Sequence, residues 1–464
     1  MVFSSLEFLF FFLPSILVAY FVAPTRFRNP VLLAGSLFFY AWGEPVYIVL
    51  MLVSITVNYG LALVIDANRG RRRARLALLA SVVVSLGLLG YFKYAGLLVS
   101  TVNSLLGIDL AAPDLALPIG ISFYTFQILS YTIDVSRGNV PAQRRWVTLA
   151  MYISLFPQLI AGPIVRYKTI VGQLASRTHS LELFAEGVGR FTIGLAKKVL
   201  IANNIGLLWQ AAQETSEPSV ALAWLGIVAF TLQIYFDFSG YSDMAIGLGR
   251  MFGFTFPENF DHPYVSRTVT EFWRRWHMSL GQWFRDYVYI PLGGSRVPYW
   301  TWVRNVLVVW FLTGLWHGAS WNFALWGVYF GVLMILEKAF LRAFLERLPR
   351  VFSHAYLILA VMLSWTFFEL TTADQILDYL GTMFGLSGAP FSNAEAVFLF
   401  QENLVLIVFG IVAATPIMAF LSRRAPQTRL VRVALVPAAQ GALLLLSYAY
   451  LVDSSFNPFL YFRF

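Results

Sequence analysis

Long apolar runs recur from one end of this chain to the other: Leu6–Val22, Val46–Ile65, Leu76–Val99, Ala221–Phe236, Asn305–Leu315, Trp321–Leu336, Leu357–Phe368, Leu404–Phe420 and Val433–Leu451. A helix that crosses a bilayer needs about 20 mainly apolar residues. Within lipid, each spanning segment must satisfy its own backbone polar groups. The runs therefore predict an all-α, polytopic integral membrane protein. A transmembrane barrel would instead show weak alternation of apolar and polar residues. Only 12% of the 464 residues are charged and the mean hydropathy is +0.68, against a charged share of about 25% in soluble domains. No long polar interval or low-complexity tract divides the sequence, so residues 1–464 are expected to form a single integral-membrane domain. No clear internal repeat is present, which disfavours inverted-repeat transporters. The first run carries Glu7 rather than Lys or Arg at its start, unlike a cleavable signal peptide.

The chain has no cysteine, which excludes disulfides, a thiol nucleophile and a cysteine-borne acyl group. Its net charge of +9 does not point to nucleic acid, because the cations fall in separate loops. These are Arg26 with Arg28; Arg69, Arg71, Arg72, Arg73 and Arg75; Arg137, Arg144 and Arg145; Arg166 with Lys168; and Arg423, Arg424, Arg429 and Arg432. If Leu32–Trp42 and Leu117–Tyr131 cross as helices, the first three sets share one face, while the loops near Glu44 and Asp109–Asp114 are poor in Lys and Arg. This positive-inside pattern puts both termini outside the cytoplasm. Anionic lipid headgroups suffice as partners for the arginines.

Nine of the 14 tryptophans fall between Trp273 and Trp326, and that stretch holds two of the five histidines, His277 and His317. Residues 269–289 read as an amphipathic interfacial helix, with Thr268 or Thr270 as its cap. On it, His277 would share a face with Trp273 and Arg274. Asn305–Leu315 and Trp321–Leu336 flank Trp316-His317-Gly318-Ala319-Ser320, with Arg304 before and Lys338 and Arg342 after. The first run has only 11 residues, so the pair reads as a dip into the membrane with His317 near its apex. Burial there favours neutral imidazole, the form a general base needs. For both histidines the alternative is a structural role, with a ring N–H donated to a carbonyl.

Asp237-Phe-Ser-Gly-Tyr241-Ser-Asp243 interrupts another apolar run. On a helix the two aspartates point to different faces, which argues against a paired acid/base device. Asp237, Tyr241, Asp243 and Asn322 are candidate supporting polar residues. Ala161-Gly162-Pro163 suggests a re-entrant turn, and Phe156-Pro157-Gln158 a broken helix. There is no phosphate-binding loop, nucleophile elbow, zinc HExxH pair or dinucleotide fingerprint, and no metal is expected.

Several segments together resemble the membrane-bound O-acyltransferase family. They are Glu258-Asn-Phe-Asp-His-Pro-Tyr, Phe272-Trp-Arg-Arg-Trp-His277-Met-Ser-Leu, Tyr289-Ile-Pro-Leu-Gly-Gly-Ser and Gly314-Leu-Trp-His317-Gly-Ala. Agreement extends to Val2-Phe-Ser-Ser, Phe38-Phe-Tyr-Ala-Trp, Pro118-Ile-Gly-Ile-Ser-Phe-Tyr-Thr-Phe-Gln, Gly162-Pro-Ile, the Asp237–Asp243 stretch and the terminal Tyr461-Phe-Arg-Phe. Within the family the chain is most similar to bacterial subunits that O-acetylate alginate, and less to those that transfer D-alanine to teichoic acid. The resemblance implies a ring of transmembrane helices around a thin core, with re-entrant and interfacial helices. It implies transfer of an acyl group, here acetyl, from a thioester to a hydroxyl, with His317 catalytic and His277 the second functional histidine. The donor would be acetyl-CoA, a substrate rather than a bound cofactor, held near Arg274, Arg275, Arg285, Trp276 and Trp316. The acceptor would be an extracytoplasmic polysaccharide such as alginate, reached from a bacterial inner membrane directly or through a periplasmic SGNH-hydrolase-like acetyltransferase. The alternative is a transporter or flippase of an acylated lipid or sugar.

Overall fold

The computed structural model describes residues 1–464 except 114, 425–427, 429, 454–456, 458–459 and 461–464. Asp114, Arg429, the side chains of Arg423 and Arg432, and the terminal Tyr461-Phe-Arg-Phe segment lie outside the described residues. The described residues form helices and connecting turns, with no strand among them. Eight of their helices are long and apolar enough to cross a membrane, from Tyr47–Ala67 to Val433–Asp453. The chain is an all-α, multi-pass membrane protein, as the apolar runs require.

Contacts group the chain into two compact units. The first comprises Met1–Phe191 and Tyr241–Pro257. Its amino-terminal segment buries Phe3 and Phe8 against Phe39 and Phe156. Helices Tyr47–Ala67 and Arg72–Leu89 are joined by a turn in which Gly70 adopts φ +77°. Asp66 holds the adjoining basic loops together, meeting Arg69 at 2.7 Å and Arg144 at 2.8 Å. The helix Trp146–Ser154 breaks at Leu155 before a short turn, Phe156–Leu159, where Pro157 supplies no N–H for a continuous ladder.

The second unit comprises Thr192–Gly240 and Glu258–Phe464. At its centre lies a helical hairpin, Tyr299–His317 and Trp321–Leu336. The first arm has 19 residues, roughly 28 Å at 1.5 Å per residue, because it begins directly after Pro298. The 11-residue apolar run is only its middle, and despite its length the arm is not one of the eight helices apolar enough to cross a membrane. The arms touch backbone to backbone: a Cβ on Gly314 would collide with the Phe323 carbonyl, and one on Gly327 with the Trp310 carbonyl. Lys338 caps the open end, with Nζ 3.7 Å from the centre of the Trp302 ring.

Glu337, 2% exposed, ties the hairpin to the helix Val269–Arg275. Its carboxylate accepts from the Val269 and Thr270 N–H groups and, at 2.7 Å, from the Thr270 hydroxyl. Those N–H groups begin a helix and have no partner within it, and a carboxylate there also opposes the helix dipole. Glu337→Ala is expected to cost about 2–3 kcal/mol by leaving these donors buried and unpaired. Thermal unfolding of the purified protein in detergent measures this; an unchanged midpoint would show that the contact carries no stability.

Candidate functional site

The sequence predicts one helix over residues 269–289, but the structure contains two, Val269–Arg275 and Met278–Phe284. The break is at Trp276–His277, where His277 takes a left-handed backbone, φ +44°. Asn259 accounts for it. Its carbonyl accepts from the Met278 N–H at 2.9 Å, and its side-chain oxygen accepts from the Ser279 N–H at 3.2 Å and the Ser279 hydroxyl at 2.8 Å. Two donors that would continue the helical ladder are thus taken by another segment. Trp273 no longer shares a helical face with His277 and packs instead against Trp310, Trp326 and Phe330. Thr268 caps the first helix, accepting from the Glu271 N–H at 3.0 Å.

The break turns His277 inward, fully buried, to a point where its ring centroid lies 6.3 Å from that of His317. His317 is the last residue of its helix, at the hairpin turn, and is 4% exposed. The pair sits among aromatic rings: Phe238 lies 4.7 Å and Trp316 5.9 Å from His277, and Trp326 5.0 Å and Phe368 5.6 Å from His317. A cavity of about 20 Å³ beside them is lined by His317, Asp237, Trp276 and Trp365, room for about one water.

Burial pushes His277 from its usual 6.5 down to about 3, so it is neutral near pH 7. The folded value lies below the unfolded one. The unfolded chain therefore binds this proton first, and stability is lost as pH falls from 6.5 towards 3. Melting midpoints of wild type and His277→Gln should converge, or cross, as pH falls through that window. A constant difference would contradict the buried neutral state.

The supporting polar residues separate. Asp237 is in the second unit, paired with Lys198 at 2.6 Å and accepting from the Leu460 N–H at 3.0 Å, so its buried charge is compensated. Asn322 donates to the carbonyls of Phe367 and Leu370 at 3.1 and 3.2 Å and pins the start of its helix. Tyr241 and Asp243 are in the first unit. There Tyr241 stacks on Phe3 at 4.5 Å and Asp243 pairs with Arg190 at 2.6 Å. The two aspartates have different cations, as their helical spacing suggests.

A cleft of about 930 Å³ runs along the hairpin from Lys338, Arg342 and Trp302, past Val306 and Trp310, to Thr313. Thr313 is one helical turn before His317. The opposite wall carries Thr270, Trp273, Arg274 and Arg285. Of the sequence-predicted donor residues, Arg274 and Arg285 line this cleft. Arg275 meets Asp261 at 3.1 Å and Glu271 at 3.3 Å, while Trp276 and Trp316 pack around the histidines. Sequence reasoning missed Asn259, Glu337 and the cleft's use of Lys338 and Arg342. The first two act through pairings 18 and 67–68 residues away, beyond the reach of local spacing.

Fold and site together define a polytopic membrane protein with a buried histidine pair and, along the same hairpin, a cleft that carries four cations. The model of the membrane-bound O-acyltransferase family matches residues 145–372. A protein named probable alginate O-acetylase from Azotobacter vinelandii is 40% identical over 502 residues, covering 100% of both chains. One of the same name from Pseudomonas putida is 40% identical over 492 residues, again covering 100% of both. A peptidoglycan O-acetyltransferase from Helicobacter pylori is 33% identical over 455 residues, covering 90% of this chain and 86% of its own. The chain belongs to the membrane-bound O-acyltransferase family, and it is an acyltransferase.

Proposed function

We propose that this protein takes an acetyl group from a cytoplasmic thioester, acetyl-CoA, and passes it across a bacterial inner membrane to hydroxyls of an extracytoplasmic polysaccharide. Alginate is the leading acceptor, acetylated directly or through a periplasmic SGNH-hydrolase-like partner. The observation that carries this reading is the cleft, which gathers four cations on its two walls and includes Thr313, one helical turn before His317. Arg274, Arg285, Lys338 and Arg342 offer charge-assisted hydrogen bonds to a phosphorylated donor. Relatives named for acetylation of alginate and of peptidoglycan support a glycan acceptor. The cation-rich loops support a cytoplasmic donor side.

In the transfer, His317 takes the proton of the acceptor hydroxyl as its oxygen bonds to the thioester carbonyl carbon. The C–S bond breaks, and the thiolate leaves with the proton returned by His317. His277 positions the reacting groups beside it. The test is radiolabelled acetyl-CoA offered to purified protein in lipid, with thiol release and label on the glycan followed together. Thiol release coupled to label on the glycan supports the reading. No release from folded protein with partner and glycan present would overturn it in favour of another donor or of transport.

Arg274 is exposed on the cleft wall. Arg274→Glu should raise the KM for acetyl-CoA about tenfold or more, the loss of one charge-assisted bond, with little change in kcat. An unchanged KM would place the donor elsewhere.

A further inference from the structure

We propose that Asn259 is a positioning residue that fixes His277 with its proton on Nδ1, so that His277 meets substrate as a hydrogen-bond acceptor through Nε2. The inference rests on the reading of His277 as part of the reacting site. The Ser279 N–H can only donate, so the Asn259 atom 3.2 Å from it is the carbonyl oxygen, not the amide nitrogen. The same oxygen faces His277 Nδ1 at 3.2 Å. Two acceptors cannot share a hydrogen bond, so Nδ1 carries the proton. A neutral imidazole has one N–H, and Nε2 is left with its lone pair.

Nε2 is buried and has no hydrogen-bond partner among the described residues. An unpaired buried acceptor is costly, and here it lies on a residue held in a strained conformation. His277 and His262 are the two non-glycine residues with positive φ among the described residues, both at +44°. They bound two segments zipped together: Asn259 to Met278 and Ser279, and Asp261 N–H to the Arg275 carbonyl at 2.9 Å. Strain of this kind persists where the surroundings over-determine it, commonly at functional sites. The consequence is chemical. An oxyanion needs a donor, and a neutral His277 has already given its one N–H to Asn259. The group that Nε2 receives must itself bear a hydrogen: the acceptor's hydroxyl, or an amide N–H of the thioester arm.

The test is nitrogen NMR of the full-length protein carrying 15N-histidine in lipid nanodiscs, with His277 assigned by its loss in His277→Gln. In the wild type, Nδ1 should show the shift of a protonated nitrogen and Nε2 that of a bare one. Asn259→Ala should mix the two tautomers and lower kcat about ten- to a hundredfold with the KM for acetyl-CoA unchanged. Asn259→Asp keeps the acceptor and should restore the tautomer. A proton on Nε2 in the wild type, or an unchanged tautomer in Asn259→Ala, overturns the proposal whatever the activity. The wild-type spectrum decides even if Asn259→Ala fails to fold. Full turnover by His277→Gln would remove His277 from the reaction and with it the acceptor role, while the tautomer assignment stood.

Discussion

Replacing His317 with alanine is expected to lower acetyl transfer by about 10²- to 10⁴-fold, the range over which a general base contributes, while the protein still inserts and folds. His317 ends its helix at the hairpin turn, surrounded by Trp316, Trp326 and Phe368. Truncation there leaves a void beside an existing cavity of about 20 Å³. The stability cost should be that of a modest core cavity, about 1–3 kcal/mol. The effect on turnover should far exceed it. Turnover at saturating acetyl-CoA, paired with the melting midpoint, separates the two. A variant that keeps turnover within about tenfold of wild type would show that another group takes the proton.

The second large effect is structural. Gly314→Val and Gly327→Val should each destabilise the protein by about 3 kcal/mol or more, because the new Cβ meets the carbonyl of the facing arm, which cannot rotate away. Both arms must then part. That would shift His317, at the apex, relative to His277, so activity should fall together with stability. A control sits in the helix Tyr167–Ala175, where a Cβ on Gly172 meets nothing within 4 Å. Gly172→Ala should be neutral or slightly stabilising, since alanine is the better helix former by about 1 kcal/mol. Equal midpoints for the hairpin variants and the control would contradict the close approach of the arms.

The sequence by itself determined the class of fold. Apolar runs of bilayer length leave the backbone no alternative to helices, and the separate basic loops fit a chain threaded through a membrane. It also picked out the Trp-His and Trp-His-Gly pairs, because titratable rings in an apolar, tryptophan-rich stretch are costly and local spacing displays them. What the tertiary structure decided depended on partners far along the chain. The break that points His277 inward is imposed by Asn259, which takes the N–H groups of Met278 and Ser279. The helix at Val269 is capped by Glu337. The cleft gathers Arg274 and Arg285 with Lys338 and Arg342, because glycines let the two hairpin arms fold flat and return the chain to where it began. Periodicity records which face of a segment is apolar. It does not record which distant carbonyl or carboxylate will take that segment's hydrogen bonds, and here those bonds set the geometry of the histidine pair.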